Sequence, residues 1–221
     1  MKNLVASCLI IALGILTASA QQKTVKYDLQ QMLANKQLDV QNREASPLQI
    51  AGKTGVKLTA RENDGVAWLN GVTFSNGVIE LDIKGKDVLQ QSFVGVAFHG
   101  TDVAPTEDVI YFRPFNFRAA DPVRKIHAVQ YESLPNYDWE ILREKYNGQY
   151  EKAIEPAPKA DEWFHAKIVV EYPQVRVFVN GNPEASLEVK MLSTTKTGKL
   201  GLWVGNNSDG EFANLTVTHK P

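Results

Sequence analysis

The sequence predicts an all-β protein, a two-sheet antiparallel jelly-roll sandwich with one or two short helices. Three observations carry that expectation. Short runs alternate between apolar and polar side chains with the period of two that places every second residue on one face of a strand. About a dozen such runs follow one another, each closed by a turn signal, which is the spacing of a sandwich or barrel. No repeat of blade length is present, so a propeller is disfavoured.

Residues 1–20 stand apart. Lys2 precedes an apolar stretch from Leu4 to Leu16, too short to span a bilayer, and Ala18-Ser19-Ala20 fits a small-x-small cleavage site. They are expected to be a signal peptide, with the mature chain beginning at Gln21 and reaching the periplasm or the exterior. Residues 21–46 read as a polar lead-in, where Asp28 caps a short helix with Leu29, Met32 and Leu33 on one face.

The sandwich proper is expected over 47–221. Val56–Ala60 alternates, and Gly65–Leu69 is a short apolar run. In Val78–Lys84, Ile79, Leu81 and Ile83 face in while Glu80, Asp82 and Lys84 face out. Phe93–His99 is almost wholly apolar and reads as a central strand, followed by Val109–Arg113 and Ile126–Glu132. Segment 133–162, with Pro135, Pro156 and Pro158, breaks the rhythm around a short helix from Asp138 to Tyr146, where Trp139, Leu142 and Tyr146 share a face. From Trp163 to Thr218 the strands return, with a tight turn at Asn180-Gly181.

Composition excludes several classes of function. The formal net charge is −1 and basic residues do not cluster, which argues against nucleic acid and anionic membrane as partners. No second long apolar run follows residue 20, so no membrane insertion is expected after signal cleavage. The single cysteine, Cys8, lies inside the leader, so the mature chain has neither disulfide nor thiol chemistry and rests on its core. The His residues lack zinc spacing. Neither a phosphate-binding glycine loop nor a nucleophile elbow is present. No cofactor is implied. Calcium remains open through Asp102, Glu107 and Asp108, or through Asn206, Asn207 and Asp209, although turn chemistry explains both groups equally well.

The order of motifs resembles the concanavalin A-like lectin and glucanase superfamily. The carriers are Phe74–Ile83, Val94–His99, His127–Glu132, Trp163–Val170, Val179-Asn180-Gly181 and Gly198–Gly205. Within it the chain is similar to secreted bacterial laminin-G-like domains and to 3-keto-disaccharide hydrolase-like domains. The resemblance implies a curved sandwich whose concave face or rim handles a glycan. The keto-sugar hydrolase-like family tends to carry Glu-x-Gln-x-x-Asp on one strand. Here Gln130 matches, Ala128 replaces the first acid, and Glu132 stands one place early. The Glu-x-Asp-x-x-Glu of related glucanases also fails, since Gly85 follows Glu80 and Asp82 where the last acid belongs.

Glycosidic cleavage needs two carboxyl groups flanking the bond. Glu80 and Asp82 share a strand face, but with Lys84 beside them they read as a solvated surface. Glu132 and His99 are the candidate catalytic groups, one to protonate a sugar and the other to act as acid or base near neutral pH. Tyr111, Arg113, Gln130 and Trp139 are the candidate substrate-binding groups, through stacking, a guanidinium and an amide. His99, Tyr111, Arg113 and Gln130 converge if their strands are neighbours; the alternative to a functional site there is a buried hydrogen-bonding network that orders loop 114–125. The expectation is an exported domain that binds or acts on a carbohydrate. The alternatives are a glycoside hydrolase of the keto-disaccharide type and a non-catalytic structural or protein-binding domain of the envelope. The incomplete motifs favour binding over hydrolysis.

Overall fold

The computed structural model describes residues 22–50, 52–102 and 106–220. The leader expected at 1–20 lies outside them. Fifteen strands and three short helices follow in the order β1 Lys23–Lys26, α1 Leu29–Ala34, β2 Leu38–Gln41, β3 Ala45–Ile50, β4 Lys53–Leu58, β5 Gly65–Phe74, β6 Asn76–Lys84, β7 Val94–Gly100 and β8 Glu107–Phe112. A 3-10 turn at Pro114–Asn116 and α2 Pro122–Lys125 lead into β9 Val129–Leu134, α3 Trp139–Lys145 and β10 Glu151–Lys152. The chain closes with β11 Phe164–Glu171, β12 Gln174–Val179, β13 Leu187–Lys190, β14 Gly198–Val204 and β15 Gly210–Lys220.

Every described strand pairing is antiparallel. One sheet runs β13-β12-β11-β6-β15-β4-β3, with β1 added on β15; the other runs β10-β9-β8-β7-β14-β5-β2. Alternation decides what each strand contributes. Ile79, Leu81 and Ile83 of β6 meet Val94, Val96 and Phe98 of β7 and Ile110 and Phe112 of β8 in the core between the sheets. A second, smaller apolar cluster lies on the other face of the seven-stranded sheet: Val66, Trp68, Ala97, Val109, Tyr111 and Trp203. A sheet with one solvated face would be polar there, so this outer face is the unusual one.

Several expectations shift in detail. The segment read as a lead-in supplies strands to both sheets, β1 against β15 and β2 against β5. Its helix is capped as expected, with Gln31 N–H donating to Asp28 Oδ1 at 3.0 Å. The strand expected from Ile126 begins at Val129, because Asp121 caps α2 and the chain is still turning at Ile126 and His127. Pro122 at the helix start suits that position. At the 179–182 turn, Asn180 and Gly181 both take positive φ, 52° and 74°, but β13 starts only at Leu187, so the connection is longer than a two-residue hairpin. No helix among the described residues is long and apolar enough to cross a membrane.

Candidate functional site

The outer face of the seven-stranded sheet is organised in cross-strand rows. One row runs Glu151–Gln130–Tyr111–Gly95–Trp203–Val66 from β10 to β5. The next runs Glu132–Val109–Ala97–Gly201–Trp68. Small residues in the middle of each row leave a low floor between polar groups at β9 and two indoles at β14 and β5. The Trp68 indole lies over that floor, and only glycine fits beneath it. A Cβ at Gly201 would stand 2.8 Å from Trp68 Cε3, and one at Gly100 would stand 2.5 Å from Trp68 Cη2. The Tyr111 and Trp203 rings meet with centroids 5.1 Å apart.

Glu132, 4% exposed, anchors the polar end. Tyr111 Oη–H donates to Glu132 Oε1 at 2.7 Å, and Arg113 Nη2–H donates to Tyr111 Oη at 2.6 Å. Arg113 also donates to Gln130 Oε1. With its oxygen so engaged, Gln130 leaves its buried Nε2 without a partner among the described residues. Glu132 Oε2 takes no hydrogen bond among the described residues. Burial pushes the Glu132 carboxyl up to about 7, against the Tyr111 hydrogen bond and the Arg113 charge; Asp64 and Asp138 add to the rise. Burial likewise holds the Tyr111 phenol well above its ordinary range.

Behind Arg113 stands Glu151. Arg143 Nε and Nη2 donate to its two oxygens at 3.1 and 3.0 Å, Arg113 Nη1 donates at 3.4 Å, and His127 Nδ1 lies 2.7 Å away. Burial would raise the Glu151 carboxyl, but the Arg143 hydrogen bonds and the surrounding positive charges outweigh it and hold it below its usual range. Burial lowers the His127 imidazole despite that neighbour.

Beside this group opens a cleft of about 390 Å³ lined by Asp64, Val66, Trp68, Glu107, Lys199 and Trp203, among others. Burial raises the Asp64 carboxyl, partly offset by Arg43. Burial also raises Glu107, reinforced by the charges of Asp64 and Asp108. Lys199 covers Trp68, with Nζ 5.8 Å from the ring centroid, and pairs with Asp102. Trp203 Nε1 is buried without a partner among the described residues.

Of the six residues singled out from sequence, the structure brings Glu132, Tyr111, Arg113 and Gln130 into one hydrogen-bonded group. Trp139 sits at its rim, 44% exposed, with Arg143 5.2 Å from its ring centroid. His99 is elsewhere. It takes φ 55° at a bulge where the β7–β14 register shifts, so the alternation that would point it outward is broken. It lies on the core side, Nδ1 3.0 Å from Asp108 Oδ2 and Nε2 2.8 Å from the Ser75 carbonyl, while Tyr131 Oη–H donates to Asp108 Oδ1 at 2.7 Å.

The other weighed groups are accounted for. Asp82 accepts from Lys53 at 2.6 Å and Asn214 at 2.7 Å, with His165 Nδ1 2.9 Å away. Burial opposes its ionisation, but these partners hold its carboxyl below the usual range. Asp108 is spent in the core, Asp102 on Lys199 and Asp209 on Lys86. Among the described residues no group of three or more His, Cys, Asp and Glu side chains is placed to hold a metal ion.

Sequence reasoning missed Trp68, Trp203, Glu151 and Arg143, and weighed Glu107 only as a calcium ligand. The two tryptophans sit in runs apolar on both faces, where alternation cannot say which side is open. Glu151 and Arg143 lie in the irregular segment, where no periodicity speaks.

Comparison with known proteins places this geometry. The fold is similar to that of a carbohydrate-binding module, CBM66, from Bacillus subtilis: TM-score 0.55, 13% identity, covering 81% of this chain and 97% of that one. It is similar to a galectin-like fold from Bacillus subtilis, with TM-score 0.60, 12% identity, and 88% and 94% of the two chains covered. A beta-glucanase of Bacillus licheniformis gives 0.50 at 13% identity, covering 81% and 83%. At such identities the likeness is one of fold, a concanavalin A-like jelly roll. No curated protein matches the chain. Residues 52–218 match the family described as the 3-keto-alpha-glucoside-1,2-lyase-like domain, and with most of its length inside that match the chain belongs to this family.

Proposed function

We propose that the outer face of the seven-stranded sheet binds a 3-keto-glucoside and cleaves its glycosidic bond, with Glu132 as the general acid. The observation that carries this reading is Glu132 itself. It is a buried carboxyl raised to about 7, one oxygen held by Tyr111 and the other without a partner among the described residues, beside a tryptophan-walled cleft. A carboxyl kept protonated near neutral pH can give its proton to a leaving glycosidic oxygen. Tyr111 and Arg113 fix its orientation, and the exposed Trp139 offers a ring for a sugar face at the rim. The same reading takes residues 1–20 as an export leader removed after Ala20, which N-terminal sequencing of the exported chain checks.

The test is release of the aglycone from a 3-keto-α-glucoside. Glu132→Gln should lower kcat about 10²–10⁴-fold on an alkyl leaving group and far less on a nitrophenyl one, which needs no proton. In the wild type, kcat/KM for the alkyl substrate should fall as pH rises through about 7, because the acid form is then lost. An unchanged Glu132→Gln variant would sink the assignment. A second reading, binding without turnover, is favoured by Ala128, which is buried in the core where the family pattern has its first acid. Saturable binding of the keto-glucoside with no product from the wild type would establish it.

A further inference from the structure

The 1,2-lyase reaction in the family's description, elimination of the group at C1 of a 3-keto-glucoside, requires a base for the C2 proton, which the adjacent ketone acidifies. Glu132, protonated, is not that base. The register supplies a second carboxyl. Glu107 opposes Leu134 and Val109 opposes Glu132 on adjacent strands, and Glu107, Val109 and Tyr111 alternate onto the same outer face. Glu107 and Glu132 are therefore diagonal neighbours on one face, about 7–8 Å apart along the strands and somewhat closer between Cβ atoms. Carboxyl pairs that flank a glycosidic bond stand roughly 5–9 Å apart.

Glu107 is also free for such work. It makes no ion pair or hydrogen bond among the described residues, whereas Asp108 beside it is committed to His99 and Tyr131. It lines the 390 Å³ cleft together with Trp203. Trp203, which lines the cleft, is 3% exposed and its Nε1–H lacks an acceptor among the described residues, so it points independently to a ligand oxygen in that space.

We infer that Glu107 is the catalytic base, partner to Glu132, in a 1,2-elimination across the C1–C2 bond of a 3-keto-glucoside. This rests on the reading of the site given above. The Glu107 carboxylate takes the proton from C2, and the C–H electron pair forms the C1=C2 double bond. The C1–O bond breaks, and Glu132 gives its proton to the departing oxygen. The products are an alcohol and an unsaturated keto sugar. Exchange with water returns the proton from Glu107 and restores the one on Glu132. No oxidant, metal or added nucleophile enters the balance. Glu132 is the acid because it is buried, takes the Tyr111 hydrogen bond and has its carboxyl raised to about 7, and Glu107 is the base because it lines the open cleft without a hydrogen bond among the described residues.

The test separates proton removal from cleavage. Free 3-keto-glucose in D₂O should take up deuterium at C2 with the wild type and with Glu132→Gln, but about 10²–10⁴-fold more slowly with Glu107→Gln. Glu107→Gln should also fail on the nitrophenyl substrate that rescues Glu132→Gln. Glu107→Asp, which keeps a carboxylate, should recover part of the exchange, so loss of function is distinguished from loss of fold. Exchange at wild-type rate in Glu107→Gln, while the wild type cleaves the keto-glucoside, overturns the assignment and leaves the proposed function standing. Absence of both exchange and cleavage in the wild type overturns the reading beneath it.

Discussion

Glu132 shows at the scale of one residue what the site costs the fold. Its carboxyl binds a proton more tightly in the folded chain, at about 7, than the ordinary value of 4.5. A group raised in this way contributes its full stability below the unfolded value and loses it as pH climbs to the folded one. The cost of ionised Glu132 above pH 7 is therefore roughly 3 kcal/mol. Glu132→Gln, which does not titrate, should match the wild type in Tm near pH 4 and exceed it increasingly up to pH 7, with a constant gap beyond. Thermal melts across that range check this, and a gap that shrinks with pH would contradict it. Four of the six site residues were legible in sequence because β8 and β9 alternate cleanly and happen to be neighbours. His99 was not, because a single left-handed residue at a bulge reverses the face on which a side chain emerges, and period-two reasoning cannot see a bulge.

At the scale of elements, α3 is the lever that carries Arg143 to Glu151 and Trp139 to the rim. Its first turn is held by Asp138, whose Oδ1 accepts from Ile141 N–H at 2.9 Å. Asp138→Ala should cost about 1 kcal/mol in stability through the lost cap. It should also lower the midpoint of the Glu132-dependent pH profile, since the Asp138 charge helps raise that carboxyl. A profile that stays in place while Tm falls would assign Asp138 to the helix alone. The helix itself was readable from the spacing of Trp139, Leu142 and Tyr146. Its role was not, because Arg143 and Glu151 meet across irregular chain that carries no period. The same limit applied to β2 and β1, four residues each, too short for alternation to mark them as strands.

The whole molecule depends on those two short strands more than a lead-in would suggest. β2 caps the β5 edge of one sheet, and β1 pairs with the C-terminal half of β15 in the other. An uncovered strand is a template for pairing with another chain. A chain starting at Gln21 should therefore melt as the full-length one does. A chain starting at Asn42, with both edges bare and Leu29, Met32 and Leu38 gone from the core, should lose several kcal/mol and aggregate. Equal melting of the two would show that the sandwich is complete without its first strands. The fold class and the closing strands were plain from sequence because every strand of the last block is long, alternating and punctuated. What the sequence could not display was the open outer face, which exists only once five strands from distant parts of the chain lie side by side.

The buried His99–Asp108–Tyr131 set touches none of the cleft, yet it guards it. On β8, Asp108 must face inward for those partners, which forces Glu107 and Val109 outward. A slip of one residue would bury Glu107 unpaired and strand Asp108 in the cleft, at the steep penalty of a desolvated lone charge. The inner trio thus works as an index key. Side chains on the outer face can therefore be exchanged without disturbing the register that presents them, because that register is locked from within the core.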